Sequence, residues 1–239
     1  MDYVSEILKG YLAWEKLKQQ VGYENLSWEE RENLRLENDN DARYYFREVG
    51  LEKAEALKAD TVISFWTPYC RLLELEANWK SVKTVKGLEW LLKEIHATWN
   101  NDYTAKIKTV NEKIQGLAKV YYTKGNYMLL PERKMNTQRY KVAQDRIDLT
   151  LYECFDKGAL AKFFETDDDL YAWIRREKLD GMFYDKELSK KKIKWLISEE
   201  HKHKRISEMN THEVYEYLKN ATLLIEDRNK EAACMLSCR

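Results

Sequence analysis

The sequence predicts a mainly α-helical protein: one compact multi-helix unit over residues 1–239, with room for a small two- or three-stranded sheet. Three observations carry this. Turn residues are scarce, with 8 Gly and 2 Pro in 239 residues, fewer than an all-β chain needs. Apolar residues recur at spacings of three and four in five segments, several opened by recognisable caps. Aromatic residues make up 13% of the chain, whereas disordered chains are poor in them.

The elements follow in order. Val4, Ile7, Leu8, Tyr11, Leu12, Leu17 and Val21 predict an amphipathic helix over 3–21. Ser27-Trp28-Glu29-Glu30 is a capping-box pattern opening a charged helix to about Glu37. Asn38 to Asp41 favours a turn, and a third helix is expected from Asp41 towards Ala59, weakened at Gly50. Residues 60–69 are the most β-like stretch of the first half, limited by Pro68 to a short strand or the start of a helix. After a basic connector, Lys80 to Lys86, Leu88, Leu91, Leu92, Ile95 and Trp99 form a helical stripe, and another helix spans Asp102 to about Tyr121. The pattern then breaks. Residues 121–148 read as turn, short extended run and polar loop, with the sheet built from 61–66 and 126–130. Helices resume near Ile147, behind the cap at Thr166 to Asp169, and behind the cap at Asn210 to Glu213. Residues 185–205 are the expected hinge. Trp66, Trp79, Trp90 and Trp99 are expected to pack.

Several functions are excluded. No two of the eight glycines lie closer than nine residues, so a dinucleotide fingerprint, a phosphate-binding P-loop and a nucleophile elbow are all missing. No window approaches 18 uninterrupted apolar residues, so no membrane partner is expected. The amphipathic N-terminus lacks the features of an export signal, and Cys70, Cys154, Cys234 and Cys238 are too dispersed for a disulfide framework. Reduced thiols in a cytoplasm are the expectation, with no structural disulfide. No cofactor is implied and no metal site is expected. His201, His203, His212, Cys234 and Cys238 lack the two tight ligand pairs of a zinc module. No catalytic set can be named: Asp167 to Asp169 are accounted for by helix capping, and His96 by its helix.

The net charge is zero, against the basic excess usual in duplex-DNA binders. Yet residues 61–146 carry 15 basic and 8 acidic residues, while 1–60 and 147–239 are net acidic. Within the irregular segment, Asn126, Asn136, Arg139 and Asp145 form a candidate polar cluster. Lys124, Arg133, Lys134, Arg139, Lys141 and Arg146 are candidate phosphate contacts. The same residues also suit a structural crossover, with Asn126 and Asn136 bonding backbone. A second basic run, Lys190 to Arg205 with Trp195 inserted, could grip phosphate and stack a base, or be a solvated helix face whose Ile193, Leu196 and Ile197 point inward.

The run Gly125-Asn126-Tyr127-Met128-Leu129-Leu130-Pro131, then Asn136, Arg139 and Asp145, resembles a signature of a bacterial protein family with no established activity, which also carries runs like Asp60 to Trp66. More distantly it resembles the Gly-Asn-Leu-Thr-Leu-Leu…Asn element of HNH-like nucleases. There a preceding His activates water beside a divalent metal; here Tyr121 and Tyr122 precede the run. The resemblance implies a bacterial protein, with a nucleic-acid partner conceivable. A nucleic-acid-associated protein is thus the leading expectation. The alternatives are a helical scaffold that binds a protein partner or itself without catalysis, and a metal-dependent nuclease.

Overall fold

The computed structural model describes residues 2–48, 50–75, 82–99 and 101–237, with no side-chain description beyond residue 231. Trp79, Lys80, Cys238 and the side chain of Cys234 lie outside the described residues. The fold is 68% helical with a two-stranded antiparallel sheet. The packing divides the chain into two units, Met1–Leu57 with Tyr69–Tyr122, and Lys58–Pro68 with Thr123–Arg239. The boundaries fall near 57, 68 and 122, and residues 185–205 belong to unit 2.

Unit 1 is built on α1 (Tyr3–Gln20), α6 (Val85–Ile95) and α7 (Asp102–Tyr121), which pack on one another. Val4, Ile7, Leu8 and Tyr11 of α1, Leu88 and Leu91 of α6, and Ile107, Val110, Ile114 and Leu117 of α7 are buried. Each helix starts at a side-chain cap: Asp2 accepts from Ser5, Thr84 from Gly87, and Asn101 from Tyr103 and Thr104. Helix α2 (Trp28–Asn38) opens with the expected capping box, both arms present. The expected helix over 41–59 is instead broken into α3 (Asn40–Arg43), a π-turn (Tyr44–Glu48) and α4 (Lys53–Ala56). Gly50 takes φ +75° between them, a left-handed conformation that interrupts a right-handed helix. Trp99 lies past the end of α6 and is 46% exposed, so it is not the core residue its place in the stripe suggests. Trp66 is buried and Trp90 half-buried.

Unit 2 holds the sheet. Strand β1 (Ala59–Thr61) pairs antiparallel with β2 (Tyr127–Leu129) in the register Ala59↔Leu129, Asp60↔Met128, Thr61↔Tyr127. Pairing ends before the apolar residues of 62–66, and Trp66 begins α5 (Trp66–Leu72), where Pro68 sits in the first turn. Residues 133–143, expected as polar loop, form helix α8 (Arg133–Ala143). Its buried face is Met135, Arg139 and Ala143, at four-residue spacing. An arginine at the central core position conceals that periodicity. Gln144 and Asp145, at φ +46° and +62°, turn the chain sharply into α9 (Ile147–Cys154). Thr166 and Asp169 complete a capping box at the start of α10 (Asp167–Arg176), and Asn210 exchanges bonds with Glu213 at the start of α11 (Thr211–Ser237). Val214, Tyr217, Leu218, Ala221 and Ile225 line the buried face of α11.

Candidate functional site

Asn126 and Arg139 meet in the interior of unit 2, where they grip the segment that follows β1, with Asp145 beside Arg139. Asn126 is fully buried; its Oδ1 accepts from the Ile63 amide at 3.1 Å, and its carbonyl accepts from Val62 at 2.6 Å. Arg139, also fully buried, donates all five of its N–H groups: Nε to Thr150 Oγ1, Nη1 to Asp60 Oδ2 and the Thr61 carbonyl, and Nη2 to the carbonyls of Val62 and Asp145, at 2.6–2.9 Å. This use of every donor is the limit of what a guanidinium can do. Asp145 Oδ1 stands 3.7 Å from Nη1, behind the closer Asp60. Burial, with the Asp60 charge nearby, outweighs Arg139 and pushes the Asp145 carboxyl up to about 7. Asn136 is half-buried on α8 and takes no part in this network.

A second buried clamp adjoins the first in sequence. Arg146 holds Asp148 with two parallel bonds, Nε to Oδ1 at 3.0 Å and Nη2 to Oδ2 at 2.6 Å, and Nη1 donates to the Lys204 carbonyl. The carboxylate also accepts from the amides of Leu149 and Leu196. Gly125 is required by space rather than by φ. A Cβ there would lie 2.2 Å from the Ile225 carbonyl of α11, its amide donates to Asn229 at 2.7 Å, and its carbonyl accepts from the buried Arg228. Neither Gly125 nor Asn126 takes a positive φ.

These contacts reassign two of the six candidate phosphate contacts. Arg139 and Arg146 expose no surface and spend their donors inside the chain, because phosphate recognition needs free N–H groups at the surface. Lys124, Lys134 and Lys141 are exposed, the last two seven residues apart on one face of α8, and Arg133 is half-buried.

The exposed chemistry of unit 2 gathers elsewhere. Residues 190–205, for which a solvated helix face is one expectation, form two short 3₁₀ turns, Lys190–Lys192 and Glu199–His201, joined by extended chain. Bonds from Tyr184 to the Lys192 carbonyl and from Lys194 to the Met182 carbonyl pin this lysine turn in place. Trp195 then meets Tyr152 of α9 and His203, with ring centroids 5.5 Å from each, while Tyr152 and His203 stand 4.8 Å apart. Lys190 Nζ lies 4.2 Å from the Tyr152 ring and Lys202 Nζ 5.8 Å from that of Trp195. Lys191 and Lys192 are exposed beside them. Burial and the charges of Lys202 and Arg146 hold His203 below the ordinary histidine value, so it is a neutral ring at pH 7. Glu199 pairs Lys202, Asp156 stands 3.5 Å from Lys190 and Asp185 3.6 Å from Lys192, so part of the charge is offset, and Lys191 is the exposed lysine of the turn with no acid paired to it among the described residues. Sequence reasoning found Trp195 and the lysines but missed Tyr152, whose only signal is an aromatic residue on a short helix over 40 positions away.

A hydrolytic reading of Ser198, His201 and Glu213 fails on geometry. Ser198 Oγ at 3.1 Å and Glu213 Oε1 at 2.7 Å both approach Nδ1 of His201, whereas a relay needs the two on opposite ring nitrogens. Among the described residues no group of three or more His, Cys, Asp or Glu side chains could hold a metal ion, and no helix is long and apolar enough to cross a membrane.

The arrangement defines a mainly helical protein whose second unit carries a buried arginine clamp and a surface cluster of aromatic rings and lysines. No protein-family model matches the chain, nor does any curated protein or solved structure.

Proposed function

We propose that this protein binds single-stranded nucleic acid through unit 2. The observation that carries the reading is the Tyr152–Trp195–His203 ring cluster bracketed by Lys190 and Lys202, with Lys191 and Lys192 exposed on the same turn as Lys190. Rings offer bases a stacking surface and ammonium groups offer phosphates a charge, the pairing that sequence-tolerant single-strand binders use. Lys134 and Lys141 supply further exposed charge on the same unit. Zero net charge makes the expected binding weak and sensitive to salt.

The test is anisotropy of a labelled oligothymidylate titrated with the full chain at several salt concentrations. Replacing Lys191 and Lys192 with Ala, both exposed and outside any core, should reduce the slope of log affinity against log salt by about 1.4, or roughly 0.7 per lost single-strand phosphate contact. Trp195→Ala should cost a further fivefold or more, about 1–3 kcal/mol for one lost stack. No binding at low salt, or variants that bind like the parent, would overturn the proposal.

A further inference from the structure

A cleft in unit 2 has a different chemistry from the lysine-rich surface. It encloses about 350 Å³, within the size range of small-molecule sites. Its walls are aromatic and apolar: Phe163, Phe164 and Trp173, with Pro131 and Ala172. The Phe164 and Trp173 rings stand 5.4 Å apart at 50°, a corner of two π-faces. The Trp173 indole N–H is tied to the Leu129 carbonyl at 2.7 Å, so the ring is held in place.

The rim is acidic. Glu165 and Asp169 line it, with Asp167 and Asp168 next to Asp169 on the first turn of α10. Glu165 is exposed, and among the described residues no hydrogen bond or ion pair holds its carboxylate. Of the nearby cations, Arg176 is engaged, with Nε on Glu177 at 2.7 Å and Nη2 on the Leu129 carbonyl at 3.0 Å, while Lys162 Nζ stands 5.5 Å from the Phe163 ring and shows a cation on one of these faces. Asp169 already accepts from the amide and hydroxyl of Thr166, so an anion entering the cleft would meet acids and an occupied guanidinium, and a neutral apolar ligand would leave the Glu165 carboxylate unused. A cation with an apolar skin uses both features: its charge faces π-clouds and carboxylates, while its methyl groups exclude water from the rings. It needs no hydrogen-bond acceptor from the walls, and the Leu129 carbonyl is already spent.

We infer that this cleft binds a methylated ammonium group, presented either by a small quaternary amine or by a methylated lysine side chain. The site lies on different residues from the proposed nucleic-acid surface and does not depend on it. The probe is tetramethylammonium, titrated into the full chain by calorimetry, beside neopentyl alcohol as a neutral carrier of similar shape. The expected result is millimolar or tighter binding of the cation, at least fivefold tighter than the neutral compound, a ratio within the cation–π range. Glu165→Gln, an exposed change that leaves the walls intact, should weaken the cation about threefold or more and leave the neutral compound unaffected. Phe164→Ala should weaken both, with its melting curve recorded to confirm folding. A short trimethyl-lysine peptide binding more tightly than choline assigns the side-chain source, and the reverse assigns the small amine. Equal binding of cation and neutral compound, no binding of either at about 10 mM, or indifference to Glu165→Gln would overturn the inference.

Discussion

Arg139 is the residue whose replacement should cost this protein most, and the cost can be worked from its five bonds. The guanidinium has no exposed surface, and it neutralises Asp60 at 2.6 Å while binding three backbone carbonyls and the Thr150 hydroxyl. Arg139→Met keeps the bulk and apolar stem but leaves the Asp60 carboxylate beside a desolvated wall, a broken buried pair that typically costs about 3–5 kcal/mol. Arg139→Lys is the sharper perturbation. It keeps the charge but has three N–H groups for five acceptors, so at least two go unsatisfied, at about 1–3 kcal/mol each. A loss of about 2–6 kcal/mol is therefore expected from a change usually counted as conservative. Because the chain has two units, a global melt would mix their transitions. The better assay is hydrogen exchange at the Val62 and Ile63 amides, which are bonded to the Asn126 carbonyl and side chain, combined with urea unfolding. Protection of those amides should fall roughly 30-fold or more, the equilibrium equivalent of about 2 kcal/mol or more. If Arg139→Lys exchanges and unfolds like the parent, then the guanidinium is not spending its donors inward and the clamp described here is wrong.

Gly125→Ala should unseat the contact with α11, since its new methyl would meet the Ile225 carbonyl at 2.2 Å and the Asn229 side chain at 2.9 Å; hydrogen exchange at the residue-125 amide, bonded to Asn229 in the parent, that stays as slow as the parent's would contradict this. The Asp145 carboxyl, raised to about 7 in the fold from a usual 3.8, binds a proton more readily folded than unfolded. Its contribution is thus complete below about pH 4 and is lost as pH rises through 7. Asp145→Asn, which also suits the positive φ, should flatten that part of the stability–pH profile; an unchanged slope refutes the assignment. Cys70 and Cys154 are buried, and burial pushes the Cys70 thiol up to about 12 and that of Cys154 higher still. Both should resist a thiol reagent at pH 8 until urea is added, as read by mass spectrometry, and rapid native labelling of either would show the packing to be looser than described.

The sequence by itself determined the helices whose signals are local. The Ser27 and Thr166 capping boxes, the Asn210–Glu213 exchange, and the apolar stripes of α1, α6, α7 and α11 all fall where spacing and caps place them, because each depends on residues within one or two turns. The strand after Gly-Asn was legible too, as was the start of a helix around Pro68. Tertiary structure alone decided α8, since Met135, Arg139 and Ala143 form a buried stripe only once Asp60, Asp145 and three carbonyls satisfy the arginine between them. It also moved Arg139 and Arg146 from surface to core: a long cation is legible from sequence, but the acceptors that desolvate it come from positions 79 and 58 residues away. The ring cluster has the same origin. Trp195 and Tyr152 are brought together by chain that runs through two turns and a bridge between Phe183 and Ile193, and no local pattern encodes a distance set by that path.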